Sequence, residues 1–200
     1  IAADEISNGE WAHVAISVNS PNVKYYVNGM QVDSHDYEAR TPAAITIDTY
    51  IGGLNLEGTG FTSAASCQID EVLIYNKSLT VLEVRELYKA GLSQHADTNV
   101  TLQTRVADNY NVSDAGLVGL WGLNGNANDE LGVNNGTASI TGYGESNGVV
   151  GEGGEFDGGS GDINYGDVNS FDFSTGNFTI SMWANVYDCT AANIYYSKGG

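Results

Sequence analysis

Trp11-Ala12-His13-Val14-Ala15-Ile16-Ser17-Val18, then Val23-Lys24-Tyr25-Tyr26-Val27-Asn28-Gly29 and the return from Met30 to Ser34, is the stretch that decides the fold. Val14, Ile16 and Val18 alternate with smaller or polar residues, the period of a strand with one buried face. Ser20-Pro21-Asn22 supplies a turn. Asn28-Gly29 is a strong hairpin signal, because a type I′ turn needs positive φ at both central positions. Residues 11–34 therefore read as a three-stranded antiparallel meander.

The strand pattern continues outward. Ala44 to Ile51 reads as a strand ending in Gly52-Gly53, followed by a polar, glycine-containing loop. Cys67 to Tyr75 reads as a strand in which Asp70-Glu71 interrupts the apolar run. The one convincing helix starts at Thr80-Val81-Leu82-Glu83, a capping box in which each end satisfies an N–H of the other. Val84, Leu87 and Tyr88 fall on one of its faces, and Gly91 reads as its C′ stop. Residues 93–114 are polar with little periodicity and read as a linker. Strands resume at Leu117–Leu123, Gly154–Phe156, Ile163–Tyr165, Phe178–Val186 and Ile194–Ser197. In Phe178–Val186, Phe178, Ile180, Met182 and Ala184 share one face and Trp183 lies on the other.

Composition agrees with an all-β chain. Glycine accounts for 26 of 200 residues and proline for only two, so turns are many and mostly glycine-built. The net charge is −18, and from Val106 to Ser197 there are twelve Asp and Glu with no Lys, Arg or His. Such a surface repels phosphate backbones and anionic lipid headgroups, so neither nucleic acid nor membrane is expected as a partner. No apolar run is long enough for membrane insertion. Ile1 falls inside what reads as a domain, so the lack of a leader in these residues carries no weight.

Four stretches together resemble the laminin-G-like jelly-roll domains of the concanavalin A-like lectin/glucanase superfamily. Gly9-Glu10-Trp11-Ala12-His13-Val14-Ala15 is similar to a family strand, and Tyr25-Tyr26-Val27-Asn28-Gly29 to its hairpin. Ile69-Asp70-Glu71-Val72-Leu73-Ile74-Tyr75-Asn76-Lys77-Ser78-Leu79-Thr80 resembles the closing strand and helix start. Leu117 to Asp129, Asn135-Gly136, Phe156-Asp157-Gly158 and Phe178 to Trp183 resemble the opening half. The closing half comes first. The resemblance thus implies an antiparallel jelly-roll β-sandwich with one short helix, present as two half-domains in permuted order: 1–92, a linker at 93–114, and 115–200. Either the chain spans the junction of two tandem domains, or the halves pair as one permuted sandwich.

The superfamily includes glucanases, so carboxylate pairs matter. Glycoside hydrolysis needs two carboxyls facing one another across the scissile bond. The Glu-x-Asp-x-x-Glu pattern of glucanases on this scaffold does not occur, and adjacent Asp70 and Glu71 are expected on opposite strand faces. His13, His35 and His95 are scattered, with His13 at a structural position of the family. No catalytic residue is assigned. The resemblance also implies a structural calcium near Asn124-Gly125-Asn126-Ala127-Asn128-Asp129 and the closing strand. Asp70, Asn126, Asp129 and Asp157 are its nominated ligands, against the simpler role of Asn and Asp as turn formers. Trp11, Trp121 and Trp183 match core positions, whereas Tyr25, Tyr37, Tyr50 and Tyr143 are better placed for exposure. If the strands starting at Cys67 and ending before Cys189 pair antiparallel, a Cys67–Cys189 disulfide becomes available.

These readings lead to a non-catalytic extracellular or cell-surface recognition and adhesion module that binds a glycan or an extracellular protein, beside neighbouring laminin-G-like repeats. An accessory carbohydrate-binding module of a secreted glycoside hydrolase and a structural spacer in a tandem array are the alternatives. The ligand-binding residues are not legible in the sequence.

Overall fold

The computed structural model describes residues 5–36, 48–56, 60–96, 115–159, 161–173, 176–189 and 194–198, without the side chains of 54–64 and 94–96. The meander is present as β1 (Trp11–Asn19), β2 (Asn22–Val27) and β3 (Met30–Asp36). Next come β4 (Thr49–Ile51), the hairpin β5 (Gly53–Leu56) and β6 (Gly60–Ala64), then β7 (Ser66–Tyr75) and α1 (Val81–Ala96). The second segment carries β8 (Leu117–Trp121), β9 (Thr137–Ala138), β10 (Gly142–Gly144), β11 (Gly153–Asp157), β12 (Ile163–Asn164), β13 (Phe178–Val186) and β14 (Tyr196–Lys198).

The fold is mostly β, with antiparallel sheets and one α-helix among the described residues, consistent with a jelly-roll sandwich. The large sheet runs β10-β11-β7-β13-β1-β2-β3, with β8 also on β7, and the smaller sheet runs β14-β4-β12-β9. Strands from before and after residues 97–114 interleave in both sheets. β13 lies between β7 and β1, and β4 lies between β14 and β12. The alternation of β13 holds throughout. Ile180, Met182, Ala184 and Val186 join Val14, Ile69, Val72, Ile74, Trp121 and Phe156 in a core closed by Ile51 and Ile163 of the small sheet. On the opposite face, Ala15, Tyr26, Leu73, Tyr75 and Leu120 form a second core with Leu79, Val84 and Leu87. The order of layers is therefore helix, large sheet, small sheet.

Local signals behave as their chemistry requires. Asn28 and Gly29 both have positive φ, 50° and 73°, as a type I′ hairpin demands. The capping box forms in both directions: the Glu83 N–H donates to Thr80 Oγ1 at 3.3 Å, and the Thr80 N–H donates to Glu83 Oε2 at 2.7 Å.

Three expectations need correction. The helix does not stop at Gly91 but continues to Ala96, four residues into the stretch read as a linker. Gly91 is there for close packing, since a Cβ added to it would stand 2.3 Å from Trp183 Nε1. The polar loop after Gly52-Gly53 contains a hairpin, β5–β6. Finally, Asp70 and Glu71 do not sit in an unbroken alternation. Ser181 pairs with Leu73 and Trp183 with Asp70, so Met182 faces two residues, and Glu71 takes φ 50° as the extra residue of a β-bulge. That bulge shifts the inward positions of β7 from Cys67 and Ile69 to Val72 and Ile74.

Candidate functional site

The bulge in β7 marks a change of neighbour. On the edge of β7 away from β13, Ser66 to Ile69 pair with β11 and Val72 to Tyr75 pair with β8. Asp70 bridges the gap between them. Its Oδ2 accepts the N–H groups of Val149 and Val150, each at 2.8 Å, and its Oδ1 accepts the Glu71 N–H at 2.7 Å. Burial pushes the Asp70 carboxyl up to about 7, against the pull of these three amide donors towards the charged form. Glu71 is also buried, its carboxylate directed at Gly122, where an added Cβ would stand 3.4 Å from Oε1.

The other nominated calcium ligands have local roles. Asp129 is buried and accepts N–H groups from Leu120 and Leu131 at Oδ1 and from Asn134 at Oδ2, each at 3.0 Å. Asn126 Oδ1 accepts the Asn128 N–H, and Asp157 Oδ1 accepts the Gly159 N–H, both at 2.8 Å. These are turn-forming bonds. Among the described residues no three His, Cys, Asp or Glu side chains gather as a metal-binding group. Asp70, Asp129 and Asp157 do not form one such group.

The remaining candidates separate by burial. His13 is buried, shares a 2.8 Å hydrogen bond with Ser181 Oγ and packs against both Tyr88 and Trp183. Burial drops its imidazole to about 3, so it stays neutral. His35 is exposed beside Asp33, at 2.9 Å, and the side chain of His95 lies outside the described residues. Cys67 and Cys189 are free thiols. β7 and β13 do pair antiparallel, with Cys67 opposite Val186, three residues short of Cys189. Trp121 and Trp183 are core residues as expected, but Trp11 is only half-buried. Tyr50, expected at the surface, is buried in β4 between β14 and β12 because both strands pair with it there. Tyr25 and Tyr143 are half-buried, and Tyr37 lies outside the described residues.

A different group meets on the helix side of the large sheet. Glu155 of β11 is opposite Gln68 of β7, Gln68 is opposite Asn185 of β13, and Asn185 is opposite Trp11 of β1. Alternation puts all four on one face. Asn185 Nδ2 donates to Gln68 Oε1 at 3.2 Å, and Gln68 Nε2 donates to Asn147 Oδ1 at 2.9 Å. Asn147 Nδ2 then donates to Glu155 Oε2 at 3.1 Å, and the Tyr187 hydroxyl donates to Glu155 Oε1 at 3.2 Å. Glu155, Gln68, Asn185 and Trp11 are half-buried, and Tyr187 is 40% exposed. Sequence reading missed this row because its members come from four strands that are not consecutive.

Residues 1–85 match the laminin-G-like family model described as Concanavalin A-like lectin/glucanases superfamily. No curated protein and no solved structure matches the chain. Domains of this superfamily are often binding modules, and laminin-G-like domains are typically non-catalytic and commonly extracellular. Among the described residues no helix is long and apolar enough to cross a membrane.

Proposed function

We propose, from the concanavalin A-like lectin/glucanases identity of residues 1–85, that the chain is an extracellular or cell-surface recognition module that binds a glycan or an extracellular protein without catalysis. The match is the observation that carries this reading. The fold supports it: a rigid two-sheet scaffold with a helix packed on part of one face leaves sheet and loop surface for contact. The acid-rich surface favours partners that are not polyanionic.

The order of the segments supports a reading of 1–92 and 115–200 as the closing and opening halves of laminin-G-like domains. Their strands interleave here, as halves of one sandwich would. A tandem array of such domains would also make the chain a spacer between repeats, which is the second reading. Binding of the purified 200-residue chain to immobilised glycans and to extracellular matrix proteins tests the two together. Saturable binding to either class supports recognition. Failure to bind any member of both panels by a cooperatively folded chain would leave the spacer.

A further inference from the structure

We propose that Cys67 and Cys189 form a disulfide under oxidising conditions, and that this bond ties the first segment of the sandwich to the second at the end of β13. The inference goes beyond the recognition reading and takes from it only the oxidising surroundings in which disulfides persist.

The register brings the pair together. Cys67 is the second residue of β7 and stands opposite Val186, the last residue of β13. Residues opposite one another in an antiparallel pair point to the same face, and both of these belong to the core between the sheets. Three extended residues would carry Cys189 about 10 Å past Val186, more than a disulfide spans. The chain does not stay extended. It bends at Tyr187, whose N–H still donates to the Ser66 carbonyl at 3.1 Å, beside Cys67. Tyr187 and Asp188 are exposed, whereas Cys189 is half-buried and packs on the core that contains Cys67. Tyr195 packs on that core too, and its hydroxyl is raised by burial first, then by the thiolate charges of Cys67 and Cys189. One phenol therefore lies within electrostatic reach of both sulfurs.

The structure holds the pair as two thiols, so closure needs movement, and Cys189 is the partner that moves. Cys67 is fixed on both edges of β7, opposite Val186 of β13 and Phe156 of β11. Cys189 lies beyond the last ladder pair. Its N–H donates to Asn8 Oδ1 at 2.8 Å, an exposed bond that water replaces when the turn shifts.

The oxidant is a small disulfide such as oxidised glutathione. The Cys189 thiolate attacks one of its sulfurs, forming a mixed disulfide and releasing one thiolate. The Cys67 thiolate then attacks the Cys189 sulfur, forming the Cys67–Cys189 bond and releasing the second. Two electrons pass from the cysteines to the small disulfide, and the two thiol protons end on its two halves. Burial pushes the Cys67 thiol up, and burial followed by the Asp188 carboxylate raises that of Cys189. Both steps are slow in the folded chain, so the bond forms during folding, before Cys67 is covered. Once made, it closes a long loop through both segments and restricts the unfolded chain accordingly.

The test is refolding of the full 200-residue chain from denaturant in reduced and oxidised glutathione, then thiol alkylation in denaturant and intact-mass measurement. The expected product is a monomer lighter by two hydrogens that takes up no alkylating agent. Its melting temperature is expected about 5–10 °C above that of the same chain with reductant. Cys189→Ser, at a half-buried position, keeps the fold and loses that difference, and Cys67→Ala checks the other partner. Where refolding is incomplete, the native chain is held in the same mixture at a denaturant concentration below its unfolding midpoint. A second readout needs no cysteine variant. A chain carrying a protease site at residue 105, cut after oxidative refolding, should run as one species on a denaturing gel and as two once reductant is added. Two alkylated thiols, a glutathione adduct on Cys189 or a disulfide-linked dimer would each overturn the bond. None of those outcomes touches the recognition reading, which stands or falls on the glycan and matrix-protein panels.

Discussion

The indole of Trp183 lies against the backbone of Gly91, so close that a single added carbon would stand 2.3 Å from Nε1 and 2.7 Å from Cε2. Two effects oppose one another in Gly91→Ala. Alanine gains about 1 kcal/mol of helix propensity, and overpacking against a fixed ring costs about 1–3 kcal/mol. The ring is held by Tyr88, stacked at 5.7 Å, and by His13 at 5.5 Å, so the steric cost should win. We expect a net loss of about 1–2 kcal/mol in urea unfolding. A gain in stability would mean that the helix does not rest on the indole.

His13 sets a pH dependence. Its folded value of about 3 lies below the ordinary 6.5, so the unfolded chain binds the extra proton first as pH falls. Its stabilising contribution is whole above pH 6.5 and shrinks towards pH 3. Asp70, raised to about 7, works in the opposite direction, losing stability as pH climbs from its ordinary 3.8. Comparing His13→Gln with the unaltered chain isolates the histidine. The unaltered chain should lose about 3 kcal/mol more than the variant between pH 6.5 and pH 4. Equal losses would place the imidazole in contact with water.

Gly52 joins the two sheets through Phe156. Its φ is +82°, and an added Cβ would stand 2.2 Å from Cδ1 of that ring. Gly52→Ala combines left-handed strain of about 1–2 kcal/mol with overpacking of about 1–3 kcal/mol. A drop of about 3 kcal/mol in denaturant stability is expected, and a near-neutral result would contradict this packing of Phe156.

Asp70→Ala should be more damaging than its single-residue change suggests. It orphans the N–H groups of Glu71, Val149 and Val150 in a buried junction between the two segments. Each buried donor without a partner costs about 1–3 kcal/mol, so a loss of about 3–5 kcal/mol is expected by chemical denaturation. Asp70→Asn should fall between, since its amide can accept at one oxygen only.

Covalent continuity between the segments should matter little once the sheets have formed. β13 makes a register of eight pairs with β1 and seven with β7. A protease site placed at residue 105 and cut in the native protein should leave the two pieces co-eluting in size-exclusion chromatography. Separation of the pieces in native buffer would contradict the interleaved sheets.

Much of the fold was readable because local chemistry and global packing agree. The Asn28-Gly29 turn, the Thr80–Glu83 box and the alternation of Phe178 to Val186 each needed only neighbouring residues. Misreadings arose where tertiary contact overrode a local rule. Gly91 looked like a stop because glycine usually ends helices, yet Trp183, distant in sequence, requires its small size. Glu71 looked like an ordinary strand residue, and only the register against Met182 exposes the bulge. The amide row had no sequence signal at all, since pairing alone brings Glu155, Gln68, Asn185 and Trp11 abreast.

The central place of β13 also governs the order of events during synthesis. β1 and β7 both leave the ribosome long before Phe178, yet neither touches the other in the large sheet without the strand between them. Until residues 178–186 emerge, the two earlier strands each present an unpaired edge towards a gap one strand wide. Closing that gap joins Trp11 to Asn185, a contact between residues far apart in sequence, and such closures are slow. The nascent chain therefore depends on a delay. It must hold its apolar β1 and β7 faces apart from other chains until β13 arrives.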